Sequence, residues 1–115
     1  MVVQTSETDF AWSPDLLSVS YTVTNTGMRA VYLDACDGVP LANVDRMTDG
    51  AGSGGNAVCL AIYSTSPVRL DAHRSLQASI GLQAQADTPY RLRLFVGRSP
   101  SSPFDWVFSN GFNVH

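Results

Sequence analysis

The sequence predicts an all-β fold, a sandwich of about seven antiparallel strands, from three observations. Apolar and polar residues alternate with a period of two in several short segments, as half-buried strands require. Gly, Pro, Asn and Asp recur between those segments at spacings of about 8–12 residues, the rhythm of a sandwich. No segment keeps helical period for the roughly 10–12 residues that would distinguish a helix from a buried strand.

The clearest strand is LSVSYTVT, where Leu17, Val19, Tyr21 and Val23 alternate with Ser18, Ser20, Thr22 and Thr24. Asn25, Thr26 and Gly27 follow as turn residues, then AVYLDAC reads as a second strand and DGVP as the next turn. ANVDRM has the polar content of a short edge strand. AVCLAIY, 57–63, reads as a more buried strand with Val58, Leu60 and Ile62 on one side. SLQASIGL places Leu76, Ala78, Ile80 and Leu82 on one face. A helix is less suited to that segment because Ser79 and Gly81 are weak helix formers. In YRLRLFV, Tyr90, Leu92, Leu94 and Val96 point together and leave Arg91 and Arg93 outward. The closing DWVFSNGFNV is rich in aromatics and carries Asn110-Gly111, a tight-turn signal wherever strands flank it closely.

A chain of 115 residues suits a single domain, 1–115, built on one core. Charged residues are only 15% of it, against roughly 25% in ordinary soluble proteins, so the surface must draw on Ser, Thr, Asn and Gln. All seven basic residues are arginines (29, 46, 69, 74, 91, 93 and 98). Without lysine there is no Schiff base, no P-loop lysine and no Lys–Asn isopeptide crosslink. The net charge of -3 and the scatter of the arginines argue against nucleic acid, which calls for a clustered basic face. No membrane span is expected, because no run approaches 18 apolar residues, and residues 1–15 lack the pattern of a signal peptide. Met1 directly before the strand-like VVQTSETDF reads as an initiator placed on a mature fragment whose export signal was removed.

GAGSGG, Gly50 to Gly55, matches G-x-G-x-x-G, the spacing of dinucleotide loops. Such a loop must leave a buried parallel strand and open a helix, because the pyrophosphate rests on the helix N-terminal amides. Polar VDRMTD before it and short NAVCLAIY after it supply neither element. The expectation is a flexible interstrand loop and no cofactor. It reads as a natural glycine-rich loop, with an inserted, engineered linker as the alternative that its composition also matches.

Cys36 and Cys59 are the only cysteines, too few for a zinc site and too far apart for a C-x-x-C redox pair. A disulfide is expected, with two buried free thiols as the alternative, and it would favour the periplasm or the cell exterior. Asp71, His73 and Ser75 in DAHRS alternate like a catalytic triad, yet their spacing on a strand is about 6.5–7 Å and no oxyanion hole is evident. They read instead as a polar turn, so no catalytic residue is expected. Asp34, Asp37, Asp45 and Asp49 lack calcium-loop spacing and read as solvated turn residues, leaving no metal site. The stretch SPSSPFDWVF, with Phe104 and Trp106, makes residues 98–106 a candidate partner-binding edge together with Arg98, with core or edge cover as the alternative role of its aromatics. The Arg91 and Arg93 pair is a candidate site for an anionic group.

The segments VSYTVTNTG, AVYLDACDG, AVCLAIY, TPYRLRLFV and SNGFNV together resemble small bacterial immunoglobulin-like domains over about 90 residues, and more distantly bacterial intracellular proteinase inhibitor domains. In the first group a Trp commonly follows the DG before the second cysteine and a Pro stands at the position of Gly111. This chain has Ala51 and a glycine string there instead. The resemblance implies an immunoglobulin-like β-sandwich acting as a non-catalytic binding or structural module of a bacterial envelope or secreted protein. The alternative is an inhibitor presenting a loop to a protease. Unprotected edge strands leave the chain a monomer or an edge-strand dimer.

Overall fold

The computed structural model describes residues 1–48, 50–55, 59–101 and 103–115, with the backbone path alone for 50–55. Among the described residues every regular element is a strand. In chain order these are β1 (Val2–Thr5), β2 (Asp9–Phe10), β3 (Leu17–Thr24), β4 (Val31–Leu33), β5 (Ala35–Cys36), β6 (Val39–Pro40) and β7 (Ala42–Arg46). There follow β8 (Gly50–Gly55), β9 (Val68–Leu70), β10 (Ser75–Leu82), β11 (Thr88–Gly97), β12 (Phe104–Phe108) and β13 (Phe112–Val114).

One sheet has the order β1-β3-β10, all antiparallel. A second sheet is organised around β11, the longest strand, while β5 and β6 form a two-stranded ribbon of their own. One side of β11 pairs with β4 and then β7, and its other side with β12 and then β13. β8 extends this sheet beyond β7, and β9 extends it beyond β4. The N-terminal segment is divided between the sheets: β1 joins β3, whereas β2 runs parallel to β13.

The period-two pattern decides which side chains meet between the sheets. Val19, Tyr21 and Val23 of β3 are buried while Ser18 and Ser20 face solvent. Opposite them, Tyr90, Leu92 and Leu94 of β11 are buried as well. With Val3, Leu33, Val44, Phe112 and Val114 they form a single hydrophobic cluster shared by both sheets. Burying such side chains contributes roughly 1.5–3 kcal/mol each, the main force holding the layers together.

Two local devices fix the frame. Asp37 and Gly38 both take positive φ, 51° and 82°, and turn β5 into β6 with Cys36 opposite Val39. This is the two-residue turn that D-G favours, because its twist matches that of the strands. At the start of β11, the Tyr90 hydroxyl accepts a 2.9 Å hydrogen bond from the backbone N–H of Gln85, locking the preceding loop to the strand.

Five expectations are corrected. GAGSGG is the strand β8, paired with β7 through Val44↔Gly55 and Arg46↔Gly50; ladder bonds come from the backbone, so a segment of weak strand formers can still add to an open neighbour. ANVDRM yields β7, which lies between β11 and β8 and is no edge. AVYLDAC breaks at Asp34, whose N–H bonds Phe95 O and whose carbonyl accepts from Leu41 N–H, closing the base of the β5–β6 excursion. In AVCLAIY, residues 56–58 lie outside the described residues, and Cys59 to Tyr63 form an exposed turn closed by Tyr63 N–H to Leu60 O at 3.0 Å. Asn110-Gly111 joins two strands on the same side of β11, so it makes a jog, not a hairpin. There Asn110 Oδ1 accepts from Thr5 N–H, tying the C-terminal segment to β1.

Candidate binding face

Alternation along β11 puts Arg91, Arg93 and Phe95 on the face turned away from the core, and alternation along β12 does the same for Phe104, Trp106 and Phe108. The register Arg93↔Phe108, Phe95↔Trp106 and Gly97↔Phe104 sets the two rows side by side. They interleave. Phe95 stacks on Trp106 with centroids 4.4 Å apart and meets Phe104 at 5.5 Å. The Arg93 guanidinium lies 3.9 Å from the Trp106 ring centre, and that of Arg91 lies 3.9 Å from the Phe108 ring centre. Phe104 also folds over Gly97, where a Cβ would fall 2.8 Å from its ring atoms.

A carboxylate completes the row from the opposite side of β11. Asp45 on β7 pairs with Arg91 in register and is fully buried. Its Oδ2 accepts from Arg91 Nε at 3.2 Å, and its Oδ1 lies 3.3 Å from Arg93 Nε. The anion held by the arginine pair is therefore the chain's own. Arg93 is only 8% exposed and is roofed by Trp106, so it does not project freely into solvent as its alternation suggests. A buried carboxylate needs its cations close, since an uncompensated charge there costs several kcal/mol. Each stacked guanidinium adds about 0.5–2 kcal/mol. What remains accessible is the outer surface of Trp106 and Phe108, 41% and 42% exposed.

The other candidate residues lie elsewhere. Arg98 is at the end of β11, where it lines a cleft of about 520 Å³ with Met1, Val31, Pro103 and Asp105, apart from the stacked row. Cys36 and Cys59 form a disulfide with Cα atoms 5.4 Å apart. It anchors one end of the 59–64 turn to the β5–β6 hairpin, and Asp37 N–H to Ser64 O at 2.8 Å anchors the other. Between these ties Leu60, Ile62 and Tyr63 are exposed, Ile62 at 83%.

Asp71, His73 and Ser75 do not converge. Asp71 accepts from Arg69 Nε, His73 sits in a turn at φ 61°, and Ser75 Oγ bonds Thr24 Oγ1. Of the acidic residues, Asp45 is the arginine partner, Asp37 forms the hairpin turn and Asp49 lies outside the described residues. Among the described residues no group of three or more His, Cys, Asp or Glu side chains is placed to hold a metal ion. The glycines of GAGSGG lie within a strand and not ahead of a helix, so they lack the amide cradle of a dinucleotide loop. No helix among the described residues is long and apolar enough to cross a membrane.

Sequence reasoning missed three features: the roles of Asp45 and Phe95 in the stacked row, and the anchored turn at Leu60. The i, i+2, i+4 spacing of Arg91, Arg93 and Phe95 signalled a shared face, but nothing local announces that β7 lies on the far side of β11. Compared with known proteins, the chain matches no family model, no curated protein and no solved structure.

Proposed function

We propose that the chain is an immunoglobulin-like β-sandwich serving as a non-catalytic protein-binding module of a bacterial envelope or secreted protein, with the stacked face of β11 and β12 as its recognition surface. The observation that carries this reading is the exposure of Trp106 and Phe108 over arginines held in place by Asp45. Trp and Arg dominate binding hot spots because they offer large contact areas at little further loss of freedom when already fixed. The matching partner is a protein surface with apolar side chains that cover the exposed rings of Trp106 and Phe108. The shared core, the division of the N-terminus between two sheets and the Tyr90 latch favour an immunoglobulin-like layout. The disulfide favours an oxidising compartment.

The test is paired affinity capture from bacterial envelope and cytosolic extracts with wild-type protein and a Trp106→Ala/Phe108→Ala variant whose melting is checked first. A protein retained from the envelope fraction by the wild type and lost with the folded variant is the expected result. Equal retention by both proteins would refute this face.

A second reading, a protease inhibitor, is favoured by one feature: the turn from Cys59 to Ser64, anchored at both ends with Ile62 at its apex. Titrating a panel of proteases separates the two. An inhibitor abolishes activity at stoichiometric concentration and loses that effect in Ile62→Asp, whereas a module binding through Trp106 leaves the proteases active.

A further inference from the structure

We propose that β10 is a self-association edge, and that two copies of the chain join antiparallel through it into one six-stranded sheet. Among the described residues β10 pairs on one side only, with β3, over an uninterrupted eight-residue register from Ser75↔Thr24 to Leu82↔Leu17. An open strand offers a row of N–H and C=O groups to any chain that can align with it, and proteins normally guard such rows with charge, proline, bulges or brevity. β10 has none of these guards. No charged residue lies between Arg74 and Asp87, and no proline between Pro67 and Pro89.

Among the described residues the remaining outer strands are short, charged or tied to a neighbour: β12, paired with β11, includes Asp105 and follows Pro103, and β5 and β6 have two residues each. β2 has two residues, one of them Asp9; β9 has three, including Arg69, and follows Pro67. β8 joins its neighbour through a register shift. β1 is bridged at Val3 to Ser109 and bonded at Thr5 to Asn110.

A second copy suits this edge better than an unrelated strand. The sheet that ends in β10 has only three strands, fewer than the roughly four to six of most sheets. Leu76, Ala78 and Ile80 are only partly buried, whereas their neighbours on β3 (Val19, Tyr21 and Val23) are fully covered. A two-fold axis through Ala78 or Ser79 keeps these apolar side chains on one face of the joined sheet: the first sets Leu76 against Ile80, the second sets Ala78 against Ile80. Outward Ser75, Gln77 and Ser79 meet only Ser, Gln or Gly across the seam under either axis, so no like charges oppose, although the whole chain carries -3. The symmetry is that of the commonest homodimers.

The test is sedimentation equilibrium of the full chain from about 10 μM to about 1 mM, the range in which a single-strand interface dissociates. The Gln77→Lys/Ser79→Lys variant is run alongside, because under either axis it places lysine opposite lysine. The wild type is expected to dimerise with concentration, and the variant to dissociate at least about tenfold more readily. Amide exchange on the wild type supplies a readout independent of any substitution, with protection of residues 75–82 rising as concentration rises. A wild type that stays monomeric throughout overturns the proposal, as does a dimer that the two lysines leave intact or one in which β10 gains no protection. Trp106→Ala/Phe108→Ala is expected to dimerise normally, so failure here is distinct from failure of the proposed recognition face.

Discussion

Asp45 and Arg93 sit on adjacent strands with Oδ1 3.3 Å from Nε, the carboxylate fully buried and the guanidinium nearly so. Removing the carboxylate takes from Arg93 and the half-exposed Arg91 the counter-charge they share. Asp45→Ala is expected to lower stability by about 3–5 kcal/mol in urea unfolding, the usual effect of breaking a buried pair from one side. Asp45→Asn keeps the shape and some polar contact and should fall between Asp45→Ala and the wild type. A loss in Asp45→Ala below about 1 kcal/mol, the level of an exposed pair, would contradict this account.

Gly97 and Phe104 are a matched pair. In Gly97→Ala the new Cβ would stand 2.8 Å from two ring carbons, so the ring must swing away from Phe95. A destabilisation of about 1–3 kcal/mol is expected, as for overpacked sites. In a Phe104→Ala background the same Gly97→Ala change should carry little penalty, and thermal unfolding of the two single variants and the double variant gives the coupling directly.

Burial pushes the Tyr21 phenol up to about 12 from 10.0. The unfolded chain therefore ionises first as pH rises, and the folded state holds more protons between those values. Stability from this group is intact below pH 10 and declines as pH climbs toward 12, by an amount on the order of 2–3 kcal/mol. Comparing urea midpoints at pH 9 and pH 11.5 in the wild type and Tyr21→Phe checks the sign. The decline should be shallower in the variant.

Reducing the Cys36–Cys59 bridge frees a segment of 22 intervening residues. The Cys36→Ser/Cys59→Ser variant is expected to lose about 3 kcal/mol, mainly through a less restricted unfolded chain. Limited proteolysis should then cut first between Leu60 and Tyr63, the turn the bridge anchors. Denaturant curves with and without reductant measure the first effect, and mass spectrometry of the fragments locates the second.

The strands most legible in the sequence are those whose own side chains record their burial. β3 matches LSVSYTVT and β10 matches SLQASIGL residue for residue, because alternation is a local imprint of a half-buried strand. β8 was illegible for the opposite reason: its pairing rests on the backbone of β7, and GAGSGG carries no pattern. Leu60 and Ile62 misled because apolar type is usually a record of burial, yet here both are exposed on an anchored turn. Asn25, read only as a turn residue, is buried and donates from Nδ2 to the carbonyls of Arg29 and Leu70, joining segments 45 residues apart. Of the candidate site, the shared face of Arg91 and Arg93 was readable. Their counter-ion was not, because it comes from a strand whose place beside β11 is a property of the whole fold.

The two ends of the chain are stitched to one another. Asn113 N–H bonds Thr8 O, His115 N–H bonds Phe10 O, and Trp12 N–H returns a bond to His115 O. Because β2 and β13 run in the same direction, tension applied through the two termini slides these strands past each other and loads their bonds together instead of peeling them one at a time. A pull between the first and last residues is therefore met by this seam as a whole.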